Sequence, residues 1–257
     1  MAALLAVASQ SLGAADWPGY DKLTREQVLG ALTSASRSAP ASLYAKNLSN
    51  LDLSGIDFKG ANLSAAVLNE SNLAGANLSG CNLTVSFAER ANLTNANLQG
   101  ATMFSMQLQG AILKGADLTG ARFIGDLRRA DLERAVLARV DGAADMKNQS
   151  MGLMRANIVS ANLQGADLSG ADFSRADFSF SDLSHANLSG TKLRGAELSG
   201  TDLRGADLTR ADLSGSNIVD ADFTGAKLTG ADFTSATFRG ARGLDEGSAQ
   251  GARGLPR

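Results

Sequence analysis

A large apolar residue recurs at every fifth position through most of the chain. The series runs Leu48, Leu53, Phe58, Leu63, Leu68, Leu73, Leu78 and Leu83, then Leu93, Leu98, Met103, Leu108, Leu113, Leu118 and Phe123, then Leu153, Ile158, Leu163 and on to Phe238. A small residue, usually alanine, stands two places ahead of each, and Asp or Asn stands between them. Ser, Thr or a charged residue follows, and then often Gly. In extended backbone alternate side chains face the same way, so the large and the small residue point to one side and the Asp or Asn to the other. Five is odd, so the alternation cannot pass into the next unit and the chain must turn once per unit. The glycines share one phase of the repeat and mark the corner, and Asp or Asn steadies it by accepting from nearby backbone amides. The pattern predicts a solenoid with an apolar interior and a polar skin, in which no unit folds alone.

The interruptions divide the chain. Residues 1–15 (MAALLAVASQSLGAA) read either as a weak export signal that lacks a basic start or as an apolar tail. Residues 16–42 hold a WPGY turn and a short helix over about 24–34, with Thr24 and Gln27 as a capping box and Val28, Leu29 and Leu32 on its apolar side. That helix is expected to cover the open end of the rod. A first repeat segment spans 43–140. Inside it Ala88 takes a large-residue slot with Phe87 one step early, which predicts a bulge or squeezed corner. The unit Asp126-Leu127-Arg128-Arg129 is one residue short. Residues 141–152 form a loop at this register break, residues 153–240 a second repeat segment continuous with the first, and residues 241–257 a C-terminal tail.

Units such as Ala-Asp-Leu-Thr-Gly (116–120) and Ala-Asp-Leu-Ser-Gly (166–170) carry a resemblance to the pentapeptide repeat proteins, whose signature is A(D/N)LXX. The resemblance implies an all-β fold, a right-handed quadrilateral β-helix with four units to a coil of about 20 residues. Roughly 36 units would make about nine coils and a rod on the order of 43 Å long, at about 4.8 Å per coil. Some members of the family confer quinolone resistance by resembling duplex DNA and engaging gyrase, and some dimerise through the C-terminal coil. That mimicry needs acidic faces. Here Arg175, Lys192, Arg194, Arg204, Arg210, Lys227, Arg239 and Arg242 are dispersed among the aspartates.

Composition narrows the choices further. A formal net charge of −2 gives no case for nucleic-acid binding. No apolar run is long enough for a transmembrane helix. The single cysteine, Cys81, occupies a small-residue slot. His185 is the only histidine, sits in an outward corner slot and has no Cys or His partner in the pattern. No serine has a base nearby and no phosphate-binding glycine loop is present. The reading is a non-enzymatic structural or protein-interaction module without cofactor, metal or small-molecule substrate, with a DNA-mimicking, gyrase-interacting protein as the alternative. Its partner is an unspecified protein, and a homodimer is compatible. An export signal would place it in the periplasm or outside the cell, and without one it would be cytoplasmic. Two places depart from plain regularity and are the candidate contact sites. One is the break at Asp126–Arg129 together with the excursion 141–150, which holds Asp141, Asp145, Met146, Lys147 and Asn148. The other is the outward apolar pair Phe180 and Val219, two coils apart on one side. The outer column Asp182, Asp202, Asp222 is expected to be repulsive, offset by Arg204 and His185.

Overall fold

A computed structural model describes residues 17–144, 154–244 and 249–255. The chain winds as a solenoid held by four ladders of parallel pairing. The first ladder passes through Ser42, Asn62, Asn82, Thr102, Arg122, Asp141, Asp172, Lys192, Asp212, Asp232 and Arg253. The second starts at Lys22, which pairs with Asn47, the third at Asp52 and the fourth at Asp57. Ten spacings of about 4.8 Å put the ends of the first ladder about 48 Å apart. Each unit bonds in both directions. Leu63 N–H donates to Asn82 O of the following coil (2.8 Å), and Asn62 N–H to Ala41 O of the preceding one (2.9 Å). A third bond, Ala66 N–H to Leu63 O (3.0 Å), closes the corner. The backbone is thereby satisfied by neighbouring coils rather than by long strands.

The interior is columns of large apolar side chains, mostly leucine with some phenylalanine. Leu183, Leu203 and Phe223 stack in one column, Leu188, Leu208 and Leu228 in another, all fully buried. Alanine fills the small slot beside them. Where Ser or Thr replaces it, the buried hydroxyl donates to a carbonyl: Ser71 to Leu68 O (2.7 Å), Thr191 to Leu168 O (2.8 Å). Cys81 lies buried in the same slot.

Two units depart from the regular path. Ala88 is buried in the inward slot and Phe87 is a regular rung between Val67 and Gln107. The bulge expected there is absent. Phe87 points outward and is covered instead by Trp17, ring centroids 4.8 Å apart. The irregularity lies one coil on. Strand β3 (Thr102–Gln107), which follows the two-residue strands β1 (Asp21–Lys22) and β2 (Lys46–Asn47), runs through the corner between the first and second ladders. It pairs with β4 (Arg122–Asp126), and the register shifts between Phe104 and Gln107. Gln107 therefore pairs with Asp126, nineteen residues on, and Asp126 with Asn157, thirty-one on. The short unit and the long excursion occupy the same corner in successive coils.

The ladder continues further into 141–152 than the sequence pattern indicates. Asp141 is a rung, and Gly142 and Ala144 donate to Asp172 O and Ser174 O at 2.8 and 3.1 Å. The repeat is hidden because Gly142 holds an inward slot. A methyl group there would lie 2.4 Å from Phe173 Cε1, so the phenyl ring supplies the missing bulk.

At the N-terminal end sits helix α1 (Arg25–Thr33), with the Thr24–Gln27 capping box formed. It buries Val28 and Leu32 in the core cluster. Leu29, expected on the apolar side, is exposed (38 %), at the edge of an open cleft that it shares with Ser54, Ile56 and Lys59 of the first coil. Lys59 Nζ donates to Leu32 O (2.9 Å) at the end of the helix. At the other end, part of 241–257 docks instead of trailing. Phe233 N–H donates to Arg253 O (2.8 Å), and Leu255 packs against the core. Leu188→Ala, which opens a cavity in a continuous column, should cost about 2–5 kcal/mol in urea denaturation. Ser189→Ala, at a half-buried outward position of the same unit, should stay within about 0.5 kcal/mol.

Candidate functional site

The backbone N–H two places after an Asp or Asn donates to that side chain at turn after turn, as at Lys59, Ala74 and Val219, and where Ser or Thr stands there its hydroxyl can add a second bond. Asp222 Oδ1 accepts from Thr224 N–H (3.0 Å) and Oγ1–H (2.6 Å), and Asp232 is held in the same way by Thr234. The threonine hydroxyl, then the threonine N–H, hold both carboxyls below their ordinary value. Several of the outer aspartates are compensated as well as bonded, although Asp182 has no ion-pair partner among the described residues. In the third ladder Arg204 grips Asp202 at 2.6 Å and Arg242 meets Asp222 at 3.1 Å. Elsewhere Lys192 meets Asp172 (3.2 Å), Arg194 meets Asp212 (2.5 Å) and Lys227 meets Asp207 (3.5 Å). Hydrogen bonding to Arg204 is the main reason that Asp202 titrates low. These pairs are largely exposed and screened by solvent, so each contributes little to stability.

Of the candidate contact residues, Asp145, Met146, Lys147 and Asn148 lie outside the described residues. Asp141 is a ladder rung paired with Arg122, not a free loop side chain. Phe180 and Val219 both follow rungs of the second ladder. Phe180 occupies a corner at φ 59° and is 68 % exposed, whereas Val219 is half-buried. The Phe180 ring lies over Gly200 of the next coil, where a methyl group would come within 2.7 Å of Cδ1. His185 covers Gly205 in the same manner, at 2.7 Å from Nδ1. Long corner side chains thus lean over a corner that carries none.

Among the described residues no three His, Cys, Asp or Glu side chains gather as a metal would require, and no helix is long and apolar enough to cross a membrane. Burial pushes the Cys81 thiol up to about 12. The sequence pattern did not single out Trp17, which clamps the N-terminal segment onto Phe87, or Arg90; Arg128 and Arg129 belong to the short unit that it did mark, and with Arg90 they line a cleft of about 520 Å³ beside the register break. The arginine signal was legible: Arg129, Arg134 and Arg139 hold three successive corner slots.

The family model "Pentapeptide repeats" matches in 8 copies, over residues 47–84, 91–137, 153–190, 171–210, 181–218 and 206–242. The chain belongs to the pentapeptide repeat family. Among solved structures it is similar to HetL, a pentapeptide repeat protein involved in heterocyst differentiation regulation from the cyanobacterium Nostoc sp. strain PCC 7120. Identity is 28 %, coverage 85 % of this chain and 96 % of that one, and the TM-score 0.41. It is also similar to QnrB1, a plasmid-mediated fluoroquinolone resistance protein, at 19 % identity over 76 % of this chain and 92 % of that one, with a TM-score of 0.40. A third pentapeptide repeat protein, also from Nostoc, is 41 % identical over 34 % of this chain and 64 % of that one, with a TM-score of 0.16. No curated protein matches the chain.

Three outcomes follow from this geometry. The low-titrating aspartates stabilise the fold above the unfolded carboxylate value of about 3.9 and lose that contribution as pH falls through their folded values. The denaturation midpoint should therefore be flat near neutrality and drop in acid. Cys81 should resist a thiol reagent at pH 8 until the protein is unfolded, since burial keeps it from forming the thiolate. Gly200→Ala should destabilise more than Gly75→Ala, which strains the same left-handed backbone (φ +66° or below at both) but has no neighbour within 4 Å. In the Phe180→Ala background the difference should vanish, measured as a double-mutant cycle.

Proposed function

We propose that this protein is a non-enzymatic interaction module, a right-handed quadrilateral β-helix whose outward columns are read by a protein partner. The observation that carries this reading is where the side-chain chemistry goes. Outer Asp and Asn side chains are engaged in turns or in pairs between coils, as at Asp222 with Thr224 and Arg242. Inner polar groups such as Ser71 and Thr191 are spent on carbonyls of the coil. The lone histidine rests over a glycine corner. What remains for recognition is surface shape and charge on a rigid support, the arrangement in which repeat proteins bind other proteins.

The test is photo-crosslinking in the source cell from single outward positions. Phe180, Ser169 and Thr229 would each be replaced by a photoreactive residue, with buried Leu188 as the control. The expected result is an adduct with one defined protein from positions on one side of the rod. Adducts from no outward position, or catalytic turnover by the purified protein, would overturn the reading.

The compensated aspartates weigh against the gyrase-engaging alternative, because a DNA mimic needs an unbroken negative face. Asp172, Asp202, Asp207, Asp212 and Asp222 each carry a basic partner. DNA gyrase supercoiling should be unchanged by a tenfold molar excess of the protein, to about the precision of the assay.

A further inference from the structure

The corner between the second and third ladders changes character beside the register break. Its successive corner residues are Glu70, Arg90, Gly110, Arg129 and Ser160. They are stacked by backbone bonds: Arg90 N–H to Gln109 O at 3.0 Å, Gly110 N–H to Arg128 O at 3.0 Å, Arg129 N–H to Val159 O at 3.1 Å. Gly110 leaves a gap one side chain deep in this column, with an arginine on each side. The gap opens into the 520 Å³ cleft lined by Glu89, Arg90, Gln109, Arg128, Arg129 and Val159.

The cleft holds three guanidiniums and one carboxylate. Arg90 is committed to Glu70, and Arg128 to Asp126 at 2.7 Å. Asp126 is itself held by Gln109 Nε2 at 2.6 Å. Arg129 is exposed and has no ion-pair partner among the described residues. Glu89 makes no ion pair either, and burial raises its carboxyl above the ordinary value against the pull of Arg90. Arg90 and Arg128 are thus fixed in place by their own partners, while Arg129 is left with an unused planar fork.

We infer that this cleft is a docking groove for an acidic segment of a protein partner, with Arg129 as the carboxylate-binding residue and Arg90 and Arg128 as its fixed basic walls. The inference rests on the interaction-module reading and names where and what that module binds. Guanidinium forks match carboxylates in two-point geometry. A nucleic acid fits the surroundings less well. Along the rod the arginine column ends at Glu70 on one side and Ser160 on the other, and the next two corners of the coil carry single arginines, Arg134 and Arg139, the first beside Glu133, so the basic track is too short and interrupted for a long polyanion.

The test uses the purified full chain and a fluorescein-labelled hexaglutamate peptide, read by anisotropy at low salt, with hexathymidylate as competitor. Saturable 1:1 binding is expected, weakened about tenfold or more by Arg129→Ala, the loss of one charge-assisted pair. Glu89→Gln, which removes the one carboxylate among the described residues that line the cleft, should tighten binding severalfold. Arg210→Ala removes an exposed corner arginine elsewhere on the rod and should leave it unchanged. An unaltered denaturation midpoint shows that each variant is folded. The inference is overturned by no saturable binding, by an equal loss in Arg210→Ala, or by hexathymidylate displacing the peptide at equal charge. Those results would leave crosslinks from other outward positions intact, so the groove can fail while the interaction module stands.

Discussion

The structure depends on one constraint: each coil's backbone amides find their acceptors on the coils before and after it. Leu63 reaches forward to Asn82 and Asn62 reaches back to Ala41, and the same exchange repeats along the rod. An isolated coil would leave those groups unpaired, at a cost comparable to the bonds themselves. The fold therefore exists only as a stack. The apolar columns are aligned by that stacking, since residues in register at the backbone must also meet inside. This is why an irregular unit is tolerated only if the next coil absorbs it. The short path through β4 is followed by the long excursion at the same corner, and beyond it pairing returns to twenty residues, as from Asn157 to Asp177.

The corners obey a second rule that follows from the first. With coils only about 4.8 Å apart, two bulky corner side chains cannot both lie along the axis. Phe180 and His185 lean over Gly200 and Gly205. Where two long residues do follow one another, as Glu70 and Arg90, they carry opposite charge. The cleft beside the register break uses the same rule differently. Gly110 admits the Arg90 stem, its methyl position 3.6 Å from Arg90 Cγ, and still leaves room before Arg129.

Electrostatics is arranged on the same lattice. Aspartates stacked one coil apart would repel, and bases from the neighbouring coil are set against them, as Lys192 against Asp172 and Arg242 against Asp222. Each exposed pair is weak alone. Together they leave a rod without a broad acidic face, on which an unpaired arginine such as Arg129 stands out.

The sequence by itself determined the repeat, the inward leucine and alanine columns, the outward Asp and Asn, the glycine corners and the Thr24–Gln27 cap. All of these are consequences of local backbone preference and side-chain periodicity, which need no distant partner to be read. Tertiary structure decided what depends on the residue one coil away. Phe87 lies outward because Trp17 covers it, and Gly142 holds a core slot because Phe173 fills the space. Arg253 continues a ladder where the five-residue pattern has stopped, because backbone pairing asks nothing of the side chain. Arg90, Gly110 and Arg129 form one wall only because a coil of nineteen residues brings Arg129 to the place above Gly110. The sequence shows each of these residues at its own position. Which of them meet is set by the number of residues in the turn between them.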